Sequence, residues 1–560
     1  MAFKKNSISF GRSFIIVISI ILLLVLAGII GWNLVKYKFI KGKVKTAVYE
    51  KTNGLYTIRY DKMDLDEAGG YLYVTNLQII PDTVKYKQMV ENKTNPPLLL
   101  SLLVPELKIA GVKTPDAMVN KKISGRKLEI SNATVIFYYA KSYPDTSQDA
   151  IKQEMYQQLL GDLKSIQADT VEVTHVSLSF INILSSKTSI EASAISVHLN
   201  DVIIDSLHSN DSTRFFFSRK VTVTGDKAVI KNKPSTYFYR FDGFSFNNNN
   251  GENGTGSLFI KSLQIEPQLS EAKFAAFSQV QKDRFKLDFS NVSLKKINLR
   301  RLMLSDVLAD SMIVQQCNVH IYRDRNYPGD HVIRVGQYPQ QLLMKVPVLL
   351  SLKKLVVRSA FIEYKEKNPK SDFNGRVQFV NAHAVIDNIT NDPEQIKKNN
   401  HCVVNFNARF LDLAKVHIRL NLLLNNPQGR FSFSGGLDEG FEASRLNKLI
   451  EPLGLARIEK GYVNDLEFNF TGHNYGSNGT VTLLYDDLKL NLLKKDSAEN
   501  KLQKKKLASF VANMVVKNSN PLRRQPVRVE TLEYKRDTNR SFFNLMWKSV
   551  YSGMKKTVGM

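Results

Sequence analysis

Cysteine is nearly absent from this 560-residue chain, with only Cys317 and Cys402 present. They form no C-x-x-C pair and no metal spacing, which excludes a disulfide framework and a thiolate metal centre. They read as two small buried hydrophobes, the usual behaviour of free cysteine, with a single mutual disulfide as the alternative. Histidine is equally thin: nine residues, scattered singly, with no H-E-x-x-H. His175, His198, His320, His383 and His417 stand between apolar residues and read as solvated strand positions. No G-x-S-x-G elbow, Walker loop or kinase signature set is present, and no carboxylate pair is marked out. The chain therefore reads as non-enzymatic, with no metal and no cofactor.

Acidic residues are also in deficit. Fifty-two Asp and Glu face 78 Lys and Arg, a net charge of +26, which points to an anionic partner, either nucleic acid or a phospholipid surface. The basic residues are spread along the chain and match no RNP, KH, zinc-finger or helix-turn-helix pattern, which argues against nucleic acid. The loop Asn247–Gly256, NNNNGENGTG, lacks the strand–glycine–helix order of a phosphate-binding loop.

One long apolar run stands out. Ser13–Val35 carries no charge and is long enough to span a bilayer as a helix, for which about 20 residues suffice. A cleaved signal peptide would have a shorter apolar region and a small-x-small site after it; the flank WNLVKYKFIKGK has none. Trp32 suits an interfacial anchor. Basic residues lie on both sides of the run, Lys4, Lys5 and Arg12 before it and five lysines within 36–45 after it, so charge alone leaves the orientation open.

The remainder is organised by one repeated spacing. In Lys127–Tyr139 the apolar positions are Leu128, Ile130, Ala133, Val135 and Phe137, with steps of two, three, two and two. Steps of two place side chains on one strand face, and a one-residue bulge at the step of three keeps both halves facing the same way. The spacing recurs at Val171–Phe180, Met312–Ile321 and Leu355–Tyr364. Shorter or variant copies run through Leu72–Ile79, Val197–Ile204, Leu258–Ile265, Leu287–Leu294, Val377–Ile386 and Val463–Phe470. With 43% of residues hydrophobic a single copy means little, but this many, roughly 20–40 residues apart, argue for an elongated repeating architecture.

Helical periodicity interrupts the strands in a few places. Lys36–Thr52 reads as a basic helix stopped by Asn53-Gly54, and Gln148–Ile166 as an amphipathic helix with Ile151, Met155, Leu159, Leu160, Leu163 and Ile166 recurring at three and four. Phe441–Leu453, Lys501–Val516 and Phe543–Met554 are further helices, and Asp486-Asp487 reads as a turn. The chain thus divides into a basic tail (1–12), a transmembrane helix (13–35), a helix-plus-β module (36–140), an amphipathic insertion (141–168), a repeating β region (169–430), a C-terminal β module (431–493) and a basic tail with amphipathic helices (494–560).

The expected fold is mainly β: a transmembrane helix followed by an elongated, curved, largely antiparallel sheet, groove-like or taco-like, with a few amphipathic helices. A one-sided apolar sheet must hide that side. A second sheet does so in a sandwich; acyl chains do so in an open groove, each buried CH₂ contributing about 0.8 kcal/mol. The candidate groove residues are Leu128, Ile130, Val135, Phe137, Val171, Val173, Leu178, Phe180, Val319, Ile321, Leu355 and Val357. Lys494–Met560 carries 16 Lys/Arg against 5 Asp/Glu, a local excess of +11. Lys504, Lys505, Lys506, Arg523, Arg524, Lys555 and Lys556 are its candidates for an anionic membrane surface, the alternative being a solvated basic end.

Two segments resemble a known family. The N-terminal span, the short helix and YTIRYDKMDLDEAGGYLYVTNLQIIPD are similar to the N-terminal module of AsmA-like proteins. SRLNKLIEPLGLARIEKGYVNDLEFNFTG, followed by GTVTLLYDDLKLNLL, resembles the family's C-terminal module through Leu446-Asn447, Gly461, Gly479, Val481, Tyr485, Asp487 and Leu488. The resemblance covers about a quarter to a third of the chain, and its motifs are of loose consensus. It implies a bacterial inner-membrane protein of the AsmA/TamB type, single-pass, N-terminus in the cytoplasm and bulk in the periplasm. It further implies a repeating β-groove, phospholipid as cargo, other envelope proteins as partners, and a role in lipid transfer or outer-membrane biogenesis. The departure is length: roughly 22–28 strands at about 4.8 Å each span on the order of 100–130 Å, which favours an assembly role beside or in place of direct transport.

Overall fold

A computed structural model describes residues 49–560 apart from 51, 67, 97, 112–119, 141–163, 209–210, 212, 232–236, 250–253, 305, 370–373, 455, 496–501 and 505–515. The expected transmembrane helix, the basic helix before residue 49 and the amphipathic segments 148–163 and 505–515 lie outside the described residues. Among the described residues no helix is long and apolar enough to cross a membrane. Among the described residues strands make up 61% and helices 15%, so the fold is mainly β. It divides into two compact units, Ala2–Leu263 with Ser293–Leu308, and Gln264–Val292 with Ala309–Met560.

In the first unit the chain order is β1 (Tyr56–Arg59), β2 (Lys62–Asp66), β3 (Tyr71–Pro81), α1 (Thr83–Glu91), β4 (Leu99–Ala110), β5 (Lys122–Ser131), β6 (Thr134–Tyr139), β7 (Ser165–Asn182), β8 (Lys187–Asp205), β9 (Ser218–Lys231) and β10 (Tyr237–Asn247). The expected hairpin forms, with β1 and β2 both antiparallel to β3. The ladder continues from β3 to β4, from β4 to both β5 and β6, and then through β7, β8, β9 and β10. β5 and β6 pair with β7 in parallel. The connection from Tyr139 to Ser165 is long enough for the crossover that parallel pairing needs.

At Lys127–Tyr139 the step of three resolves differently from the expected bulge. Lys127–Tyr139 breaks into β5 and β6, with Asn132 between them at φ 58°. Ser131 and Thr134 face Glu106 and Leu103 on one side and Thr174 and Ser177 on the other. β4, β5–β6 and β7 each advance three residues there, so none of these gains a residue on its neighbour. His175 of β7 makes the matching turn at φ 54°, and Asn76, Ala194 and Gly243 extend the line of left-handed residues into β3, β8 and β10. Asn and Gly are the residues that enter this region most readily. The expected register shift does occur at the step of three in two other copies of the spacing, between Val173 and Val176 of β7 against β8 and between Val357 and Ala360 of β14 against β15.

The result in this unit is a set of apolar rows crossing the strands. One row is Leu72, Ile109, Leu128, Val171, Leu199 and Val221. The next is Val74, Leu107, Ile130, Val173, Val197 and Val223. Every residue of both rows is buried, none more than 6% exposed.

β11 (Thr255–Pro267), β12 (Arg284–Asn298) and β13 (Val307–Asp324) each cross a boundary between the units, while α2 (Glu271–Ser278) belongs to the second unit and α3 (Leu299–Met303) to the first. The second unit continues with α4 (Pro339–Leu343), β14 (Leu350–Lys367), β15 (Asn374–Thr390), α5 (Pro393–Lys398), β16 (His401–Phe410), β17 (Ala414–Leu423), β18 (Phe431–Leu437), β19 (Phe441–Glu442), α6 (Asn447–Gly454), β20 (Ala456–His473), β21 (Gly476–Lys495), β22 (Leu502–Lys504), β23 (Val529–Lys535) and α7 (Phe542–Thr557). From β14 to β18 each strand is antiparallel to the next, and β18 and β19 pair with β20, β20 with β21, and β21 with β22 and β23.

Three local expectations change. Ile166 is a buried strand residue of β7, not the end of a helix. Leu502–Lys504 pairs with β21 as a strand where helix was expected, because Leu493, Lys494 and Lys495 offer it an open ladder. Asp486 and Asp487 continue β21, with Asp487 at φ 50° absorbing a register shift against β20.

Candidate functional site

The second unit also carries apolar rows, and they change character along their length. One row runs Leu355, Ile386, Val404, Leu420, Phe433 and Phe470 across β14, β15, β16, β17, β18 and β20. Its neighbour runs Val357, Ala384, Phe406, Ile418, Gly435 and Phe468. Directly paired residues share a sheet face, so each row lies on one surface. Gly435 makes room for its partner, since a Cβ there would lie 2.8 Å from the Phe468 ring.

At the β17–β21 end this surface is a packed core. Leu420, Leu422, Phe431, Phe433, Phe470 and Val481 are buried together with Tyr338, and Phe542, Leu545 and Val550 of α7 lie on them. Phe433 and Phe470 stack at 5.1 Å. α7 is held by its Ser541 cap, which accepts from the Asn544 N–H, and by a buried Ser477–Ser549 hydroxyl pair at 2.6 Å. Gly553 permits the approach, because a Cβ there would sit 2.3 Å from Val481.

Towards β14 the same surface is left half-open. Leu355, Val357, Ile362 and Tyr364 of β14, Val377, Phe379, Ala384 and Ile386 of β15, and Val404, Phe406 and Phe410 of β16 are all only half-buried. Phe379 touches Phe406 and Phe410 with ring centroids 5.6 and 5.7 Å apart. Val319 and Ile321 of β13, the strand beside β14, are half-buried too.

This apolar stretch ends in a charged rim. Alternation carries Val319 and Ile321 on to Arg323 and Arg325, and Ile362 on to Tyr364 and Glu366. Arg323 holds Asp283 through two hydrogen bonds of 2.7 Å, Arg325 donates to Glu366 at 3.0 Å, and the Tyr364 hydroxyl donates to Glu366 at 2.8 Å. Burial, with the Glu366 carboxylate beside it, raises the Tyr364 phenol's pKa and keeps it a neutral donor. Chemically the arrangement offers apolar contact bounded by fixed charges.

The candidate residues therefore separate into two groups. Leu128, Ile130, Val135, Phe137, Val171, Val173, Leu178 and Phe180 are each 5% exposed or less; they have no surface to present. Val319, Ile321, Leu355 and Val357 belong to the half-open surface. Phe406 and Phe410 were not singled out, although Cys402, Val404, Phe406, Ala408 and Phe410 alternate strictly. Among the membrane-surface candidates, Arg523 and Arg524 are exposed, and Lys555 and Lys556 form the last turn of α7, Lys556 paired with Glu530 at 3.2 Å. Lys504 lies in β22, and Lys505 and Lys506 lie outside the described residues. Both cysteines are free and buried.

Neither protein-family models nor curated proteins give a match to this chain.

Proposed function

We propose that this chain is a membrane-anchored envelope protein that handles phospholipid without catalysis, holding acyl chains against the half-open surface of β13–β16. The observation that carries the reading is the row Leu355–Ile386–Val404–Leu420–Phe433–Phe470, which leaves the packed core beneath α7 and stays apolar where its cover ends. Movement of an acyl chain between bilayer and such a surface exchanges one apolar environment for another, so the surface acts by lowering the barrier through water. The rim at Arg323, Arg325 and Glu366 matches the polar end of a lipid. The uncharged 13–35 run as inner-membrane anchor, the periplasmic placement and the AsmA-like resemblance are parts of the same proposal. A second reading, an envelope scaffold with a closed β core and no lipid cargo, is favoured by the fully buried rows of the first unit.

Mass spectrometry of solvent extracts separates the two. The full chain purified in detergent should carry more phospholipid than its Ile362→Asp variant, with both unfolding at the same denaturant concentration. Equal phospholipid in the two would favour the scaffold.

A further inference from the structure

The outward side of α7 is built for a different contact. Phe543, Trp547 and Tyr551 recur every four residues, which aligns them along one side of a helix. They are 66%, 45% and 36% exposed, whereas Phe542, Leu545 and Val550 on the other side are buried in the sheet core. The outward row is ordered: Trp547 and Tyr551 stack at 5.7 Å, and the ammonium groups of Lys548 and Lys555 lie 5.1 and 6.0 Å from the Tyr551 ring centre. α7 holds three lysines and no acidic residue. Over 516–560, ten Lys/Arg stand against three Asp/Glu.

We propose that this face of α7 is a docking surface for an anionic phospholipid bilayer. Tryptophan and tyrosine settle at headgroup depth with their rings among the upper acyl carbons. Lysine stems lie along apolar surface while their ammonium groups reach the phosphates. A basic helix with an aromatic face and a buried opposite face thus lies flat on a membrane without unfolding the sheet beneath it. A second copy of the chain is the poorer occupant, because it would bring the same positive charge to the contact. The surface is separate from the apolar stretch on β13–β16, and the docking does not depend on lipid being held there.

The chain has two tryptophans, Trp32 and Trp547, so Trp32→Phe leaves Trp547 as the sole reporter. The full-length Trp32→Phe chain, held in nanodiscs of phosphatidylcholine, is mixed with vesicles of phosphatidylcholine and phosphatidylglycerol bearing brominated acyl chains. Trp547 emission should shift to the blue and be quenched, and Lys548→Gln with Lys555→Gln should weaken vesicle binding by about tenfold or more. Phe543→Ser with Tyr551→Ser should weaken it as well, at unchanged circular dichroism, because both side chains are exposed. Three results would overturn the proposal: unquenched Trp547, equal quenching by pure phosphatidylcholine vesicles, or a blue shift that follows protein concentration without vesicles. Loss of quenching with unchanged co-purifying phospholipid would remove this proposal alone.

Discussion

Phe137 of β6 and Phe180 of β7 are register partners whose rings stack with centroids 5.0 Å apart at an angle of 20°. Both are buried, at 5% and 1% exposure. They anchor a row continued by Leu100 on one side and by Ile190 and Ile230 on the other. Truncating a buried Phe costs about 3–5 kcal/mol through lost contacts and the cavity left behind. Phe180→Ala should therefore lower the denaturant midpoint of the first unit strongly while leaving bound phospholipid per folded chain unchanged. A full-length variant that keeps its stability but loses lipid would move the lipid surface to the first unit.

Asp330 and Arg334 give the second unit a pH-dependent tie. Arg334 donates to Asp330 through both terminal nitrogens, and its backbone N–H donates to Thr538 O at 2.8 Å, just ahead of α7. Burial raises the Asp330 carboxyl's pKa, but the hydrogen bonds from Arg334 and from the Val332 N–H outweigh it and hold the pKa below the ordinary 3.8. A depressed carboxylate contributes stability that is complete above the unfolded value and is lost as pH falls through the folded one. Thermal unfolding should show this loss below about pH 4, on the order of 1 kcal/mol. Arg334→Gln should remove it, and an unchanged acid limb in that variant would contradict the assignment.

The two cysteines should be silent in the native protein. Burial first, and then the Asp288 and Asp387 carboxylates, push the Cys317 and Cys402 thiols up to about 11. The thiolate is the reactive form, so maleimide at neutral pH should label neither thiol until denaturant is added and then both. Labelling of either in the folded chain, or of neither after unfolding without reductant, would contradict two free, buried thiols.

Much of the sheet was legible because strand alternation needs only local sequence. The steps of two in Leu128–Phe137 and Val171–Phe180 placed all ten residues of the spacing on the buried face. The step of three was visible as a fault, but its form depends on the neighbouring strands. Asn132 turns left-handed beside His175, so the break is shared where a bulge in one strand was expected. Short helices such as Thr83–Glu91 were missed because nine residues with one buried side chain leave almost no periodic signal. The difference between the closed rows of the first unit and the half-open rows of β14–β16 was not legible. Val171 and Leu355 occupy the same place in the repeated spacing, and only tertiary cover distinguishes them.

The most direct test of acyl-chain binding on β13–β16 is photolabelling of the full chain with a phospholipid bearing a diazirine in its acyl chain, followed by peptide mapping. Labels should concentrate in Leu355–Tyr364 and Val377–Ile386 and fall away in the Ile362→Asp variant, with Lys127–Tyr139 and Val171–Phe180 unlabelled. Labelling confined to the 13–35 segment, or equal labelling of the first unit's buried rows, would contradict the account.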